Sequence, residues 1–342
     1  MIEHDLGELG WCAGLAENLE PGHEPGRVMA AHRAAFDVQT AHDVVRARLP
    51  GRLVHDAVDV AVGDWVGLRD GLIRSVLPRR SAILRNAAGR AARVQTLAAN
   101  VDVAFVLSSF GPDLEPRRIE RYLVTIWESG AAPEIVLTKA DRVDDPWDLV
   151  AEVEAVAIGV PVHVVSAVTG QGCDALRVRV QPGRTAVLLG SSGVGKSTLV
   201  NRFVGHERMT VNDTRADDDE GRHTTTHREL IRLPGGGVVI DTPGLRELQL
   251  WDADGIDAAF ADVEELAGGC RFNDCSHERE PGCAVLAAVE SGELPHERFH
   301  SWRKLQKELL AVEVRRDARL RKEELRKWQL RVREGRARAR RI

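Results

Sequence analysis

Apolar and polar positions alternate in five short stretches near the front of the chain: Arg27 to Ala31, Phe36 to Thr40, Val44 to Leu49, Asp64 to Leu68 and Leu72 to Leu77. Pro50-Gly51, Gly63-Asp64 and Asp70-Gly71 supply turns between several of them. A period of two over so few residues predicts half-buried strands, and five of them between residues 25 and 95 predict a small β-barrel of the OB-fold kind. The middle of the chain has another rhythm. Ile135-Val136-Leu137, Val187-Leu188-Leu189 and Val238-Val239-Ile240 are short apolar runs, Val187 to Leu189 reading as a buried strand of an α/β fold, and Val162 to Val165 reads as the end of another strand. Further on, Trp302, Leu305, Leu309 and Val312 recur every three or four residues, and Leu320, Leu325, Trp328 and Val332 continue more sparsely, which predicts helix. The arginine-rich run from Gly335 to Arg341 is expected to order only against a partner.

The loops after the apolar runs carry the chemistry. Val187-Leu188-Leu189 leads into Gly190-Ser191-Ser192-Gly193-Val194-Gly195-Lys196-Ser197-Thr198, a full phosphate-binding P-loop. Its glycines let backbone N–H groups turn toward phosphate oxygens, Lys196 offers a point charge to the β/γ-phosphates, and Ser197 offers a hydroxyl to Mg²⁺ at the start of a helix whose N-terminus favours anions. Ile135 to Leu137 leads into Thr138-Lys139-Ala140-Asp141, where the Asp141 carboxylate can accept from the guanine N1 and N2 hydrogens and Lys139 can lie along the ring. Val162 to Val165 leads into Ser166-Ala167, a loop suited to the guanine O6. Val238 to Ile240 leads into Asp241-Thr242-Pro243-Gly244, where Asp241 would hold Mg²⁺ through water and the Gly244 amide would meet the γ-phosphate. Gly221-Arg222-His223-Thr224-Thr225-Thr226 is polar and glycine-led, as a first switch should be, with Thr225 as a catalytic candidate. The order is base loop, second base loop, P-loop, first switch, second switch. An ordinary GTPase begins with its P-loop, so this order predicts a circularly permuted P-loop GTPase domain that takes GTP with Mg²⁺.

Two residues bear on mechanism. Thr138 stands where Asn is commonest, which predicts the loss of a bracing amide and modest guanine affinity. Leu245 stands where many GTPases place a water-orienting Gln, so slow intrinsic turnover with activation by a partner is expected. His223 or His227 could position the water once a partner orders the switch; a solvated loop histidine is the plainer alternative.

Three of the five cysteines cluster with a histidine, as Cys270, Cys275, His277 and Cys283. Three thiolates and one imidazole at that spacing, with Gly268, Gly269, Pro281 and Gly282 nearby, predict one closed, structural zinc site. Cys12 and Cys173 read as ordinary thiols. With neither a secretory signal nor a long apolar segment, the chain is expected in the reducing cytoplasm, with no membrane span.

The formal net charge of −5 conceals segregation. Residues 25–95 hold twelve Arg against six Asp, and residues 301–342 hold sixteen Lys and Arg against six Asp and Glu. A basic front and a basic tail around an acidic centre suit a polyanion held at two points. The barrel carries only Phe36 and Trp65 as aromatics, so contact of Arg with phosphates of folded RNA is expected there rather than extensive base stacking.

These motifs together resemble the RsgA family of GTPases, also called the YjeQ or YloQ type. The resemblance covers nearly the whole chain: Val62-Gly63-Asp64-Trp65-Val66, Ala98-Ala99-Asn100-Val101-Asp102, the reordered nucleotide motifs, Gly221 to Thr226, and Cys270-Arg271-Phe272 through Cys275, His277 and Glu280-Pro281-Gly282-Cys283-Ala284-Val285. Ala61 stands where the family often has proline. The resemblance implies a late-stage assembly factor that binds the small (30S) ribosomal subunit and its 16S rRNA, checks the decoding region, and leaves after subunit-stimulated hydrolysis of GTP to GDP and phosphate. A monomer is expected. The expected layout is an N-terminal extension over 1–24, an OB-fold RNA-binding barrel over 25–95, a permuted GTPase domain over 96–255, and a mostly helical zinc-binding domain with a basic tail over 256–342. Two rivals are a nucleotide-gated RNA-binding adaptor with incidental hydrolysis and a permuted GTPase of the large subunit; a DNA-directed ATPase is disfavoured by Asp141.

Overall fold

A computed structural model describes residues 5–32, 34–86, 94–111, 114–206, 228–242 and 254–316. The chain divides into two compact units, Met1–Gln249 and Leu250–Ile342. In the first unit, strands β1 (Glu24–Ala31), β2 (Phe36–Gln39), β3 (Val44–Ala47), β4 (Trp65–Arg69) and β5 (Leu72–Val76) fall on the five alternating stretches. β1 pairs antiparallel with both β2 and β4, β2 pairs with β3, and β4 pairs with β5. An isolated bridge between Arg48 and Leu72 joins the end of β3 to β5 and closes the cycle. The inward positions Val28, Val38, Ala47, Val66, Leu68 and Ile73 form the barrel core, as the alternation requires. A separate hairpin follows, β6 (Ala82–Asn86) with β7 (Val94–Ala99). The alternation had not marked it off from the barrel.

Beyond the hairpin come β8 (Val103–Ser109), β9 (Ala132–Thr138), β10 (Val162–Val164), β11 (Thr185–Leu189), β12 (Glu229–Arg232) and β13 (Val238–Asp241). Their order in space is β10-β9-β8-β11-β13-β12, with only β12 antiparallel to its neighbour in that set. Every residue of β8 and β11 is buried, the physical reason these strands read as unbroken or nearly unbroken apolar runs. The intervening helices are α3 (Pro116–Ser129), α4 (Trp147–Val156), α5 (Cys173–Arg179) and α6 (Lys196–Val204); two short ones, α1 (Ala13–Ala16) and α2 (Gly51–His55), lie nearer the N-terminus. Pro116 opens α3, where its missing N–H costs nothing, and Ile119, Leu123 and Ile126 bury one face of that helix.

β1 also pairs with β12 through Ala30 and Glu229, so barrel and α/β sheet form one continuous sheet. The junction is sealed by Arg27, which is fully buried. Its guanidinium donates to Leu9 O, to Thr185 Oγ1 at 2.8 Å and, more distantly, to Gly63 O and Asn100 O, and it lies 5.3 Å from the centre of the buried Trp65 ring. Burial lowers its pKa to about 10, with Asp102 opposing that fall. The N-terminal segment is part of this packing: Leu6, Leu9 and Leu15 are buried, Glu8 O accepts from Gly183 N at 2.8 Å, and Trp11 sits 5.0 Å from Trp65. Nothing in the periodicity of residues 1–24 pointed to that role.

The second unit holds α7 (Asp254–Ala259), α8 (Ala261–Ala267), α9 (Ala284–Ser291) and α10 (His296–Arg316). Phe260, Val263, Val285, Leu294, Phe299, Trp302, Leu305 and Leu309 are buried, so the apolar period read around Trp302 is the inner face of α10. Arg298 clasps the Asp262 carboxylate with bonds of 2.8 and 3.1 Å while lying 4.1 Å from the Phe260 ring centre. The sparser period from Leu320 to Val332 and the run from Gly335 lie outside the described residues. Among the described residues no helix is long and apolar enough to cross a membrane.

Gly63 carries the tightest constraint at the junction. Its φ is +92°, and a Cβ there would stand 2.2 Å from Ala99 O. Gly63→Ala is expected to cost about 3 kcal/mol in denaturant unfolding, from a forbidden backbone conformation and a clash with main chain together. At Gly71, also at positive φ but with nothing within 4 Å, the same change should cost about 1 kcal/mol.

Candidate nucleotide site and metal centre

The parallel strands β8, β9, β10, β11 and β13 all deliver their carboxyl ends to one side of the sheet. β8 leads to its neighbour β9, whereas β11 leads by way of β12 to β13 on its other flank, so the connections diverge between β8 and β11. A crevice at such a divergence is where α/β sheets bind ligands. The P-loop leaves β11 there. Gly190 has a φ of +151°, and a Cβ on it would meet Leu107 O of β8 at 2.6 Å, so only glycine passes. Lys196 is buried, and its Nζ donates to Gly190 O at 2.9 Å and Ser191 O at 2.6 Å, which holds the ammonium within the curl of the loop. Ser192 and Gly193 are exposed at the tip, Val194 is buried beneath it, and Ser197 and Thr198 occupy the first turn of α6 after Gly195.

The base-reading candidates meet this loop from the β9 and β10 ends. Thr138 is buried, and its Oγ1 donates to Val194 O at 2.6 Å, with Ser108 O at 3.3 Å. The expected loss of a brace at this position is therefore not what the geometry gives, because the shorter threonine hydroxyl ties base loop to P-loop directly. Lys139 follows in the left-handed region at φ 61°, a strained conformation for a side-chain-bearing residue that points to a constrained site. Asp141 is exposed, and its Oδ1 accepts from Ser166 Oγ at 2.5 Å, so the first and second base loops are joined. Ser166 Oγ also accepts from Thr169 N at 3.2 Å, which shapes the loop that carries Ala167.

From the other flank, Asp241 ends β13. Its Oδ1 is buried and has no hydrogen-bond partner among the described residues. Burial pushes this carboxyl up to about 6, against the pull of Lys196 and the Thr242 amide. An orphaned carboxylate oxygen is a ligand that a hard cation, or water bound to one, would satisfy, so Asp241 fits Mg²⁺, with the Ser197 hydroxyl at the start of α6 as its candidate companion. Thr242, absent from the sequence reading as a site residue, donates Oγ1 to Leu188 O at 2.7 Å and fastens the second switch to the P-loop strand. A lone hydroxyl after an aspartate carries no sequence signal for that bond. His223, Thr225, His227, Gly244 and Leu245 lie outside the described residues.

In the second unit Cys270, Cys275, His277 and Cys283 converge, their ligand atoms all within 4.8 Å of one another. Cys270 Sγ is 3.8 Å from Cys283 Sγ and 3.6 Å from His277 Nδ1, which is 3.3 Å from Cys283 Sγ. A tetrahedral zinc with Zn–S near 2.3 Å and Zn–N near 2.0 Å separates its ligand atoms by about 3.5–3.8 Å, so the cluster fits one such ion. His277 reaches it from a left-handed φ of 54°, and burial lowers the pKa of its imidazole, favouring the neutral form a metal needs. Glu280, which the spacing argument did not use, organises the loop: its carboxylate accepts from the Glu278 and Arg279 amides at 2.9 and 3.0 Å and from Ser276 Oγ.

A glycine-rich loop on a central buried strand, two hydrogen-bonded loops carrying the base-reading candidates on one flank and the buried Asp241 on the other are the layout of a P-loop nucleotide-binding domain of the GTPase class with a reordered chain. The model of the RsgA GTPase family matches residues 76–251. A relative from Streptomyces coelicolor, named small ribosomal subunit biogenesis GTPase RsgA, is 49% identical over 93% of this chain and 90% of its own length. One from Methanosarcina acetivorans with the same name is 45% identical over 83% of this chain and 79% of its own. Among solved structures, YjeQ from Thermotoga maritima is similar with a TM-score of 0.64 at 27% identity, covering 84% of this chain and 99% of its own. YloQ, described as a circularly permuted GTPase, shares the fold at a TM-score of 0.62 and 24% identity, covering 84% and 96%. The chain belongs to the RsgA GTPase family and is a GTP hydrolase.

Thr138→Val keeps the shape and removes the hydroxyl, leaving the Val194 carbonyl short of its donor. GTP and GDP affinity should both fall about 5- to 30-fold by titration calorimetry, the equivalent of about 1–2 kcal/mol. Thr138→Ser should stay near wild type.

Proposed function

We propose that this GTPase is a late-stage assembly factor of the small (30S) ribosomal subunit, binding 16S rRNA and hydrolysing GTP to GDP and phosphate with stimulation by the subunit, coupled to release. The observation that carries this reading is the combination, in one chain, of a closed five-stranded barrel, a reordered GTPase domain and a Cys₃His cluster, together with relatives whose printed names say small-subunit biogenesis and which align along most of its length. The five-stranded cycle is read as an OB-fold, and its arginine excess favours phosphate contact with folded RNA. The domains are taken as 25–95, 96–255 and 256–342, the protein as a cytoplasmic monomer.

Within the site, Lys196 and the P-loop amides would hold the β- and γ-phosphates, Ser197 and Asp241 would hold Mg²⁺, and Asp141 with Lys139, Ser166 and Ala167 would read guanine. Mg²⁺ supplies neutralisation of charge developing on the phosphoryl oxygens. Gly244 and Thr225 are assigned to the γ-phosphate, and His223 to the attacking water. The Cys₃His cluster is assigned a structural zinc.

Leu245 favours one second reading, a nucleotide-gated adaptor in which hydrolysis is incidental, since leucine cannot align water. GTP turnover measured alone, with small subunits and with large subunits separates the two. Small subunits should raise turnover by at least tenfold, large subunits should not, and Lys196→Ala should abolish the response; tight GTP-dependent subunit binding with flat turnover would favour the adaptor. Metal analysis should find one zinc per chain, lost in Cys270→Ser while nucleotide binding persists.

A further inference from the structure

The Cys₃His loop displays one aromatic side chain. Phe272, between the ligands Cys270 and Cys275, is 42% exposed. Its main chain is tied down on both sides: Cys270 N donates to Ala267 O at 3.1 Å, Arg271 N to Gly282 O at 3.0 Å, and Cys275 N to Phe272 O at 3.3 Å. The Arg271 guanidinium carbon lies 5.6 Å from the centre of the Phe272 ring. The stem of Arg271 runs along Gly282, where a Cβ would stand 3.1 Å from Arg271 Cβ and 3.3 Å from its Cδ, so the glycine clears the track for this side chain. The acidic groups nearby are mostly engaged elsewhere. Among the described residues of the loop, Glu280 holds the loop amides, Glu278 pairs with Arg303, and Asp274, Arg271 and Arg279 are exposed.

We propose that Phe272 is a stacking platform for one unpaired RNA base, with Arg271 steadying the ring and meeting an adjoining phosphate. A ring carried on a loop whose main chain is hydrogen-bonded on both sides has less backbone freedom to lose on stacking. Every base offers a π-face to such a ring, and single-stranded RNA is where unstacked bases are available. A protein partner would call for an apolar surround that excludes water, but Arg271 at the ring and Asn273, Asp274 and Ser276, which follow Phe272 in the chain, are polar and exposed. The sequence reading placed its RNA contacts on the barrel and the tail and excluded extensive stacking only in the barrel; this site is a different surface. It rests on the RNA-binding function proposed above.

The test uses full-length, zinc-loaded protein, a fluorescein-labelled oligo-U ten-mer at low salt, and purified small subunits. Phe272→Ala and Phe272→Leu should each weaken ten-mer binding about 5- to 150-fold, the range for losing one stacked base, and Phe272→Trp should retain it. Zinc content and the thermal midpoint serve as fold controls and should match wild type. Equal binding by all variants, or no binding by wild type, overturns the proposal. Retention by Phe272→Leu with loss in Phe272→Ala overturns it too, because that is the pattern of an apolar contact. If small subunits bind wild type and Phe272→Ala alike, stacking falls while the assembly function stands. If small subunits fail to bind wild type while the ten-mer still depends on Phe272, stacking stands and the assembly function falls.

Discussion

The pairing of β11 with β8 on one side and β13 on the other is the constraint on which the nucleotide site depends. β11 is buried along its whole length, and Ala186 to Leu189 of β11 lie level with Val103 to Val106 of β8 while Thr185 to Leu188 face Val238 to Asp241 of β13. That register brings the P-loop, the β8 carbonyls and Asp241 to the same height. A one-residue slip would turn each inward side chain to the other face and pull Asp241 away from Lys196. Strand pairing is indifferent to chain order, so a sequence can place β8, β9 and β10 before the P-loop strand and still assemble the sheet that carries the site.

The reordering has a structural consequence at the other end of the same strands. β12, which precedes β13 in the chain, pairs with β1 of the barrel, and Thr185 at the start of β11 takes a hydrogen bond from Arg27. The barrel therefore does not hang from the nucleotide domain by a linker. It shares a sheet and a buried guanidinium with it, and a buried charge of this kind is tolerable because carbonyls and a hydroxyl surround it.

The second unit solves a different problem. Apart from α10 its helices are short, and the loop between α8 and α9 has little apolar content of its own. Three sulfurs, an imidazole and the Glu280 carboxylate replace a core there, leaving ring and arginine outside.

Much was determined by sequence alone. The period-two stretches marked the barrel strands, the apolar runs marked β9, β11 and β13, and the spacing of Cys270, Cys275, His277 and Cys283 marked the Cys₃His cluster, because each of these is a local pattern imposed by one pleat, one buried strand or one loop. The P-loop and base-loop motifs were legible for the same reason. What tertiary structure decided were contacts between residues far apart in the chain: the brace from Thr138 to Val194, the Thr242 bond to Leu188, the burial of Arg27 against Leu9 and Thr185, and the joining of β1 to β12. No periodicity encodes them. They arise only when strands from distant segments settle side by side, and the free energy that selects them belongs to the assembled sheet and not to any one stretch of chain.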